Sequence, residues 1–119
     1  MSEIWAVILA AGESKRMKVP KMILPFRGKT IIETVIENVT DSEINKALVV
    51  LGSDKEEILK IITRFTVMHC FNEDYKHGML SSVKCGFSFL PDKYRAVLVF
   101  LGDQPMIKPE IINMVISAY

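Results

Sequence analysis

Ile4-Trp5-Ala6-Val7-Ile8-Leu9 runs directly into Ala10-Ala11-Gly12-Glu13-Ser14-Lys15-Arg16-Met17-Lys18-Val19-Pro20-Lys21. A continuous apolar run of this length, closed by small residues and glycine, predicts a strand buried on both faces. Beyond the strand lies a turn of small residues that becomes basic. Residues 10 to 12 allow close approach of backbone to a ligand, and free N–H groups there suit phosphate oxygens. Arg16 offers a planar fork for bidentate phosphate contact and Lys21 a mobile point charge. The string lacks the second glycine and Lys-Ser or Lys-Thr of a P-loop, and it is not a GxGxxG fingerprint. On these residues alone two readings stay open, an ordinary βα turn with solvated bases and a phosphate cradle.

Outward from this strand, helix-like and strand-like patterns alternate. Thr30 to Val39 sets Ile31, Ile32, Val35, Ile36 and Val39 on one helical face, behind the capping-box pattern Thr30-x-x-Glu33. Ala47 to Leu51 predicts a second buried strand, ended by Gly52. Ser53-x-x-Glu56 predicts another capping box, ahead of a helix bearing Ile58, Leu59, Ile61, Ile62 and Phe65. Thr66 to Phe71 predicts a third strand. Leu80, Val83, Phe87 and Leu90 predict a helix with Gly86 as its weak point. Ala96 to Leu101 predicts a fourth strand, and Pro109 opens a last helix carrying Ile111, Ile112, Val115 and Ile116. That alternation implies right-handed crossovers and a parallel sheet with helices on its faces. Ligands of such sheets bind beyond the carboxyl ends of the strands, so the candidate site segments come just after Leu9, Leu51, Phe71 and Leu101.

Composition narrows the function. The 119 residues suffice for one compact domain, residues 1–119. Fifteen basic against 14 acidic residues leave a net charge of +1, with no basic stripe, so no nucleic-acid or membrane-surface partner is expected. No apolar run approaches the roughly 20 residues of a membrane span, and Met1-Ser2-Glu3 has no basic n-region. Cys70 and Cys85 lack metal-ligand spacing and are expected to be two buried reduced thiols of a cytoplasmic protein. The last helix runs into Tyr119 without a stop signal, so its apolar face is expected to need a partner, and the domain to be truncated at its carboxyl end.

Two downstream segments carry further chemistry. In Asn72-Glu73-Asp74-Tyr75-Lys76-His77-Gly78-Met79-Leu80-Ser81-Ser82, Gly78 can take a positive φ, and Ser81 or Ser82 can present a hydroxyl near a helix start. A plain capped helix explains the same residues equally well. Glu73 and Asp74 read as solvated charges and His77 as a loop residue. Leu101-Gly102-Asp103-Gln104-Pro105 brings a carboxylate out of a buried strand, where it serves either a turn or Mg²⁺.

Leu9 to Lys21 resembles the LAAGxSxRMGxxK signature of GT-A-like nucleotidyltransferases, with Lys18 where that signature has glycine. The resemblance is closest to the molybdenum cofactor cytidylyltransferase and guanylyltransferase group. It continues through Met22-Ile23-Leu24-Pro25-Phe26 and Gly28-Lys29-Thr30, through Asn72 to Ser82 as NxxxxxGMxxS, and through Gly102-Asp103-Gln104-Pro105 as GDQP. It implies a three-layer α/β/α sandwich with a mainly parallel sheet, GT-A or Rossmann-like, of which this chain is the N-terminal part. It implies nucleotide binding by Leu9, Ala10, Ala11, Gly12, Ser14, Arg16, Lys21, Asn72, Gly78, Ser81 and Ser82, catalytic roles for Arg16, Lys21 and Asp103, and Mg²⁺ held by Asp103. The implied reaction transfers CMP from CTP to a phosphorylated acceptor such as molybdopterin cofactor and releases pyrophosphate. The Ala10-Ala11-Gly12 form resembles the cytidylyl branch, where the guanylyl branch carries a second glycine. Guanylyl transfer with GTP, sugar-1-phosphate and isoprenoid-precursor cytidylyl transfer, and a truncated nucleotide-binding or interaction protein remain as alternatives. An incomplete sheet would leave an apolar edge, so a homo-oligomer is a further expectation.

Overall fold

A strand without a polar residue is stable only where both faces are covered, and the first strand meets that condition. The structure, a computed structural model, describes residues 3–11 and 21–118. β1 (Ile4–Ala10) is buried at every residue. It is followed by β2 (Pro25–Phe26), β3 (Lys29–Thr30), α1 (Ile31–Thr40), β4 (Lys46–Leu51), α2 (Lys55–Ile62), β5 (Met68–Phe71), α3 (Met79–Ser88), β6 (Ala96–Leu101) and α4 (Pro109–Ala118). Four strands form one sheet in the order β5-β4-β1-β6. Every pairing is parallel, with Val7 opposite Leu48 on one side and Val99 on the other, and Val50 opposite Cys70.

Residue alternation along the strands sorts the core into two layers. Ala6, Ile8 and Ala10 of β1, with Val49 and Leu51 of β4, face Ile32, Val35 and Ile36 of α1, Ile58 and Ile62 of α2, and Ile112 and Ile116 of α4. Trp5, Val7 and Leu9, with Leu48, Val50 and Cys70, face Val83 and Cys85 of α3. This is the expected three-layer α/β/α sandwich. From β1 the chain steps through α1 to β4 and through α2 to β5, then returns through α3 to β6 on the far side of β1. Right-handed crossovers running in opposite directions place their helices on opposite faces. The reversal makes the β1/β6 boundary the switch point, where a crevice opens beyond the strand ends.

Helix α1 starts as its sequence requires. The Thr30 backbone N–H donates to Glu33 Oε1 at 3.0 Å and the Glu33 N–H donates to Thr30 Oγ1 at 3.2 Å. Arg64 adds a 2.7 Å contact to Glu33. Hydrogen bonds from the Thr30 backbone, then from its side chain, then the Arg64 charge hold the Glu33 carboxyl below its ordinary value of 4.5 against the opposing effect of burial. Just before α1, β2 and β3 make a short antiparallel hairpin. Arg27 (φ 50°) and Gly28 (φ 85°) form its tip, and two successive positive φ values match the twist of tight hairpins.

Several expectations are corrected. The Ser53 capping box does not form: α2 begins with Asp54 as N-cap and without a side-chain cap bond. The third strand starts at Met68, later than Thr66. The face of α3 that meets the sheet is not the Leu80–Phe87 stripe, since those two residues are 65% and 41% exposed. Ser82 and Gly86 are the buried residues of that helix. A Cβ on Gly86 would stand 2.8 Å from a Val7 methyl and 3.1 Å from one of Val50, so this glycine is a contact point that lets α3 settle on the strands. In α4, Ile112 and Ile116 find their partner in the core, while Ile111 and Val115 stay exposed. Of the two thiols, Cys70 is buried but Cys85 is only half-buried.

Candidate active site

The switch-point crevice is shaped by backbone that passes at close range. Gly102 N–H donates to Leu9 O at 2.9 Å, and Gln104 N–H to Leu101 O at 3.1 Å, turning the chain sharply after β6. A Cβ on Gly102 would lie 3.0 Å from Leu9 O and from Met22 Sδ, and 3.1 Å from Ile32 Cδ1. Only glycine fits without displacing them, and the fit sets the next residue, Asp103, at the mouth. On the other flank, a Cβ on Gly52 would stand 2.5 Å from Ala11 O. The small residues at the end of β1 thus already serve packing, before any ligand arrives.

Asp103 and Lys21 meet across this mouth, with Lys21 Nζ 3.6 Å from Asp103 Oδ2 and the two side chains 55% and 35% exposed. Lys21 begins a turn of 3₁₀ helix, Lys21–Ile23, packed against α1. A cleft of 320 Å³ opens beside the pair, lined by Leu9, Ala11, Met22, Leu101 and Asp103 on the strand side. Tyr75, Lys76, Gly78, Met79 and Ser82 form the opposite wall.

That wall is held by side-chain hydrogen bonds. Asn72, 4% exposed, donates through Nδ2 to Ser81 Oγ and Ser82 Oγ at 3.0 Å each, and accepts at Oδ1 from Asp74 N–H at 2.9 Å. Ser81 Oγ also lies 2.7 Å from Gly78 O. Gly78 takes φ 92° ahead of α3, the positive angle expected of it, with open space around its Cα. A residue with a side chain would be strained there.

Of the expected site residues, Leu9, Ala11, Gly78, Ser82 and Asp103 line one cleft, and Lys21 reaches it through Asp103. Ala10 is buried in the layer against α1, so its side chain points away. Asn72 and Ser81 line a neighbouring groove and touch the cleft wall through Ser82. Gly12, Ser14 and Arg16 lie outside the described residues. Met22, Tyr75, Lys76, Met79 and Leu101 complete the lining, although the sequence pattern does not mark them as ligands. Lys76 is the most legible of these, a base two residues before the strained glycine.

Among the described residues no group of three or more His, Cys, Asp and Glu side chains is placed to hold a metal. A lone carboxylate at a charged cleft suits a hard cation that completes its shell with phosphate oxygens and water. No described helix is long and apolar enough to cross a membrane.

The sequence model of the MobA-like NTP transferase domain matches residues 6–119. The Bifunctional protein GlmU of Clostridium kluyveri is 38% identical over 110 residues, covering 91% of this chain and 24% of that protein. This chain therefore spans about a quarter of the length of the curated relatives it matches. A nucleotidyl transferase from Methanothermobacter thermautotroptrophicus superposes with a TM-score of 0.88 at 25% identity, over 97% of this chain and 57% of that one. Rv0371c from Mycobacterium tuberculosis, solved as a manganese complex, gives 0.83 at 21% identity over 98% and 59%.

Proposed function

We propose nucleotidyl transfer from a plain premise: this chain belongs to the MobA-like NTP transferase domain family. In our reading it supplies the nucleotide-binding part of an enzyme that moves a nucleoside monophosphate, CMP from CTP, onto a phosphorylated acceptor such as molybdopterin cofactor. The observation that supports this most is the convergence of Leu9, Ala11, Lys21 and Asp103 at the switch point of the sheet. An oxygen of the acceptor phosphate attacks the α-phosphorus, the bond from that phosphorus to the bridging oxygen breaks, and pyrophosphate leaves. Such a reaction asks a protein for positioning and charge neutralisation rather than covalent participation.

Lys21 would exchange its contact with Asp103 for phosphate oxygens, and Arg16 would add a second cation to the triphosphate. Asp103 would hold Mg²⁺, which supplies positive charge against the phosphates. Backbone at Ala11 and Gly12 would approach the nucleotide, with Ser14 nearby, while Gly78, Ser82 and the Asn72-held wall would face base and sugar. Lys76, on the wall opposite Asp103, is suited to the acceptor's phosphate.

A second reading keeps the nucleotide chemistry and changes the acceptor. It is favoured by the curated relatives, which are GlmU proteins rather than molybdenum cofactor enzymes. The test is a thermal-shift series with CTP, GTP, ATP and UTP, each with and without Mg²⁺. Linkage gives about 2.7 kcal/mol of stabilisation at a hundredfold excess over Kd, and CTP with Mg²⁺ should give the largest rise. If no nucleotide moves Tm, the proposal is wrong. A larger response to another base would overturn the cytidylyl assignment alone.

A further inference from the structure

Cys70 on β5 and Cys85 on α3 are both free, and their sulfurs lie 3.8 Å apart. They differ in surroundings. Cys70 is 4% exposed within the core layer beneath α3. Cys85 is half-buried and opens into a groove of 640 Å³ whose lining includes Asn72, Ser81 and Lys84. Its Sγ lies 3.7 Å from Phe71 O, the last carbonyl of β5. The pair thus spans the strand and the helix that carry the outer wall of the cleft, two residues from Asn72 on one side and three from Ser82 on the other.

We propose that Cys70 and Cys85 form a dithiol modification site that a low-molecular-weight disulfide, of the glutathione class, oxidises to an intramolecular bridge. Cys85 is the entry thiol because it alone has access to solvent. Its thiolate attacks one sulfur of the oxidised reagent, the reagent's S–S bond breaks, and one thiolate departs. Cys70 then attacks the Cys85 sulfur of the mixed disulfide. The second reagent thiolate leaves and takes up the Cys70 proton. Net, the protein loses two electrons and two hydrogens, and one reagent disulfide becomes two thiols.

Burial first, and then the neighbouring Cys85 sulfur, push the Cys70 thiol up to about 12, so it stays protonated and unreactive in the reduced protein. Once Cys85 is in a mixed disulfide it carries no charge, and that part of the opposition disappears. Closing 3.8 Å to the roughly 2.05 Å of a disulfide draws α3 against β5. The bridge would therefore stiffen the wall that Asn72 and Ser82 build.

The experiment treats the whole chain with oxidised glutathione and follows intact mass and free thiols. Wild type should lose both thiols together, become two hydrogens lighter and recover with dithiothreitol. Cys70→Ser should stop at a glutathione adduct on Cys85. Cys85→Ser should keep its remaining thiol. If Cys70→Ser fails to fold, Cys70→Ala, which leaves no hydroxyl in the core, takes its place. Amide exchange over residues 72–82 should slow in the oxidised protein. A stable adduct on wild type, no reaction, or equal reactivity of Cys85→Ser would overturn the proposal, and unchanged exchange would overturn its link to the cleft wall.

Discussion

The two walls of the cleft are made in different ways. On the strand side, Gly52 and Gly102 let backbone pass at distances that no Cβ would permit, and a charged pair stands at the rim. On the α3 side a buried asparagine amide ties a loop together, and exposed Met79 and Lys76 face the opening. The first wall is shaped by sterics, so it has one geometry. The second is shaped by hydrogen bonds that can be exchanged for others, which suits the part of a site that differs between substrates. In the proposed reaction, the first wall meets the triphosphate common to all nucleotides and the second meets base and acceptor.

The largest effect should come from the rim of the steric wall. Asp103→Ala and Lys21→Met should each remove about 2.7–4 kcal/mol of transition-state stabilisation, by analogy with a deleted oxyanion donor. Stability should hardly change, because the pair is exposed. Steady-state kinetics in the presence of Mg²⁺ check this, and full activity in Asp103→Ala would remove that residue from the chemistry. Gly52→Ala acts on the body of the same wall. Its Cβ would collide with Ala11 backbone, costing about 1–3 kcal/mol of stability, measured by urea unfolding, together with nucleotide affinity.

Asn72→Ala strikes the other wall. It leaves the Asp74 N–H without its acceptor and the Ser82 hydroxyl without its donor, at about 1–3 kcal/mol of stability. If the two walls divide the work as described, it should change discrimination among CTP, GTP and UTP more than Asp103→Ala does. Equal changes would break the comparison. The smallest effect lies away from both walls. Because the Glu33 carboxyl is held below its ordinary 4.5, its stabilisation is complete above that pH and fades as pH falls through the lower value of the folded state. Glu33→Gln can keep the cap but loses the Arg64 pair. Its deficit relative to wild type, at most the roughly 0.5–2 kcal/mol of a cap, should be present at neutral pH and vanish in acid.

Sequence and structure agree where local signals act alone. The apolar run of β1, the Thr30 capping box and Pro109 at the start of α4 read correctly because each depends on a few neighbouring residues. The Ser53 pattern failed although it has the same form, since α2 starts at Lys55 instead. In α3 the hydrophobic stripe misled, because the helix approaches the sheet closely enough to prefer Ser82 and Gly86 to Leu80 and Phe87.

For the loop after β1, the residues themselves determined a strand buried on both faces and a basic turn beyond it, since hydrophobic pattern and charge are properties of the string. Their family resemblance brought the expectation of a triphosphate site. Only the tertiary structure decided that Leu9 and Ala11 stand beside Asp103, 92 residues further along from Ala11 in the chain, and that Lys21 faces that carboxylate. The reversal of crossover direction at β1 brings them together, and strand order is a long-range choice that no local pattern contains.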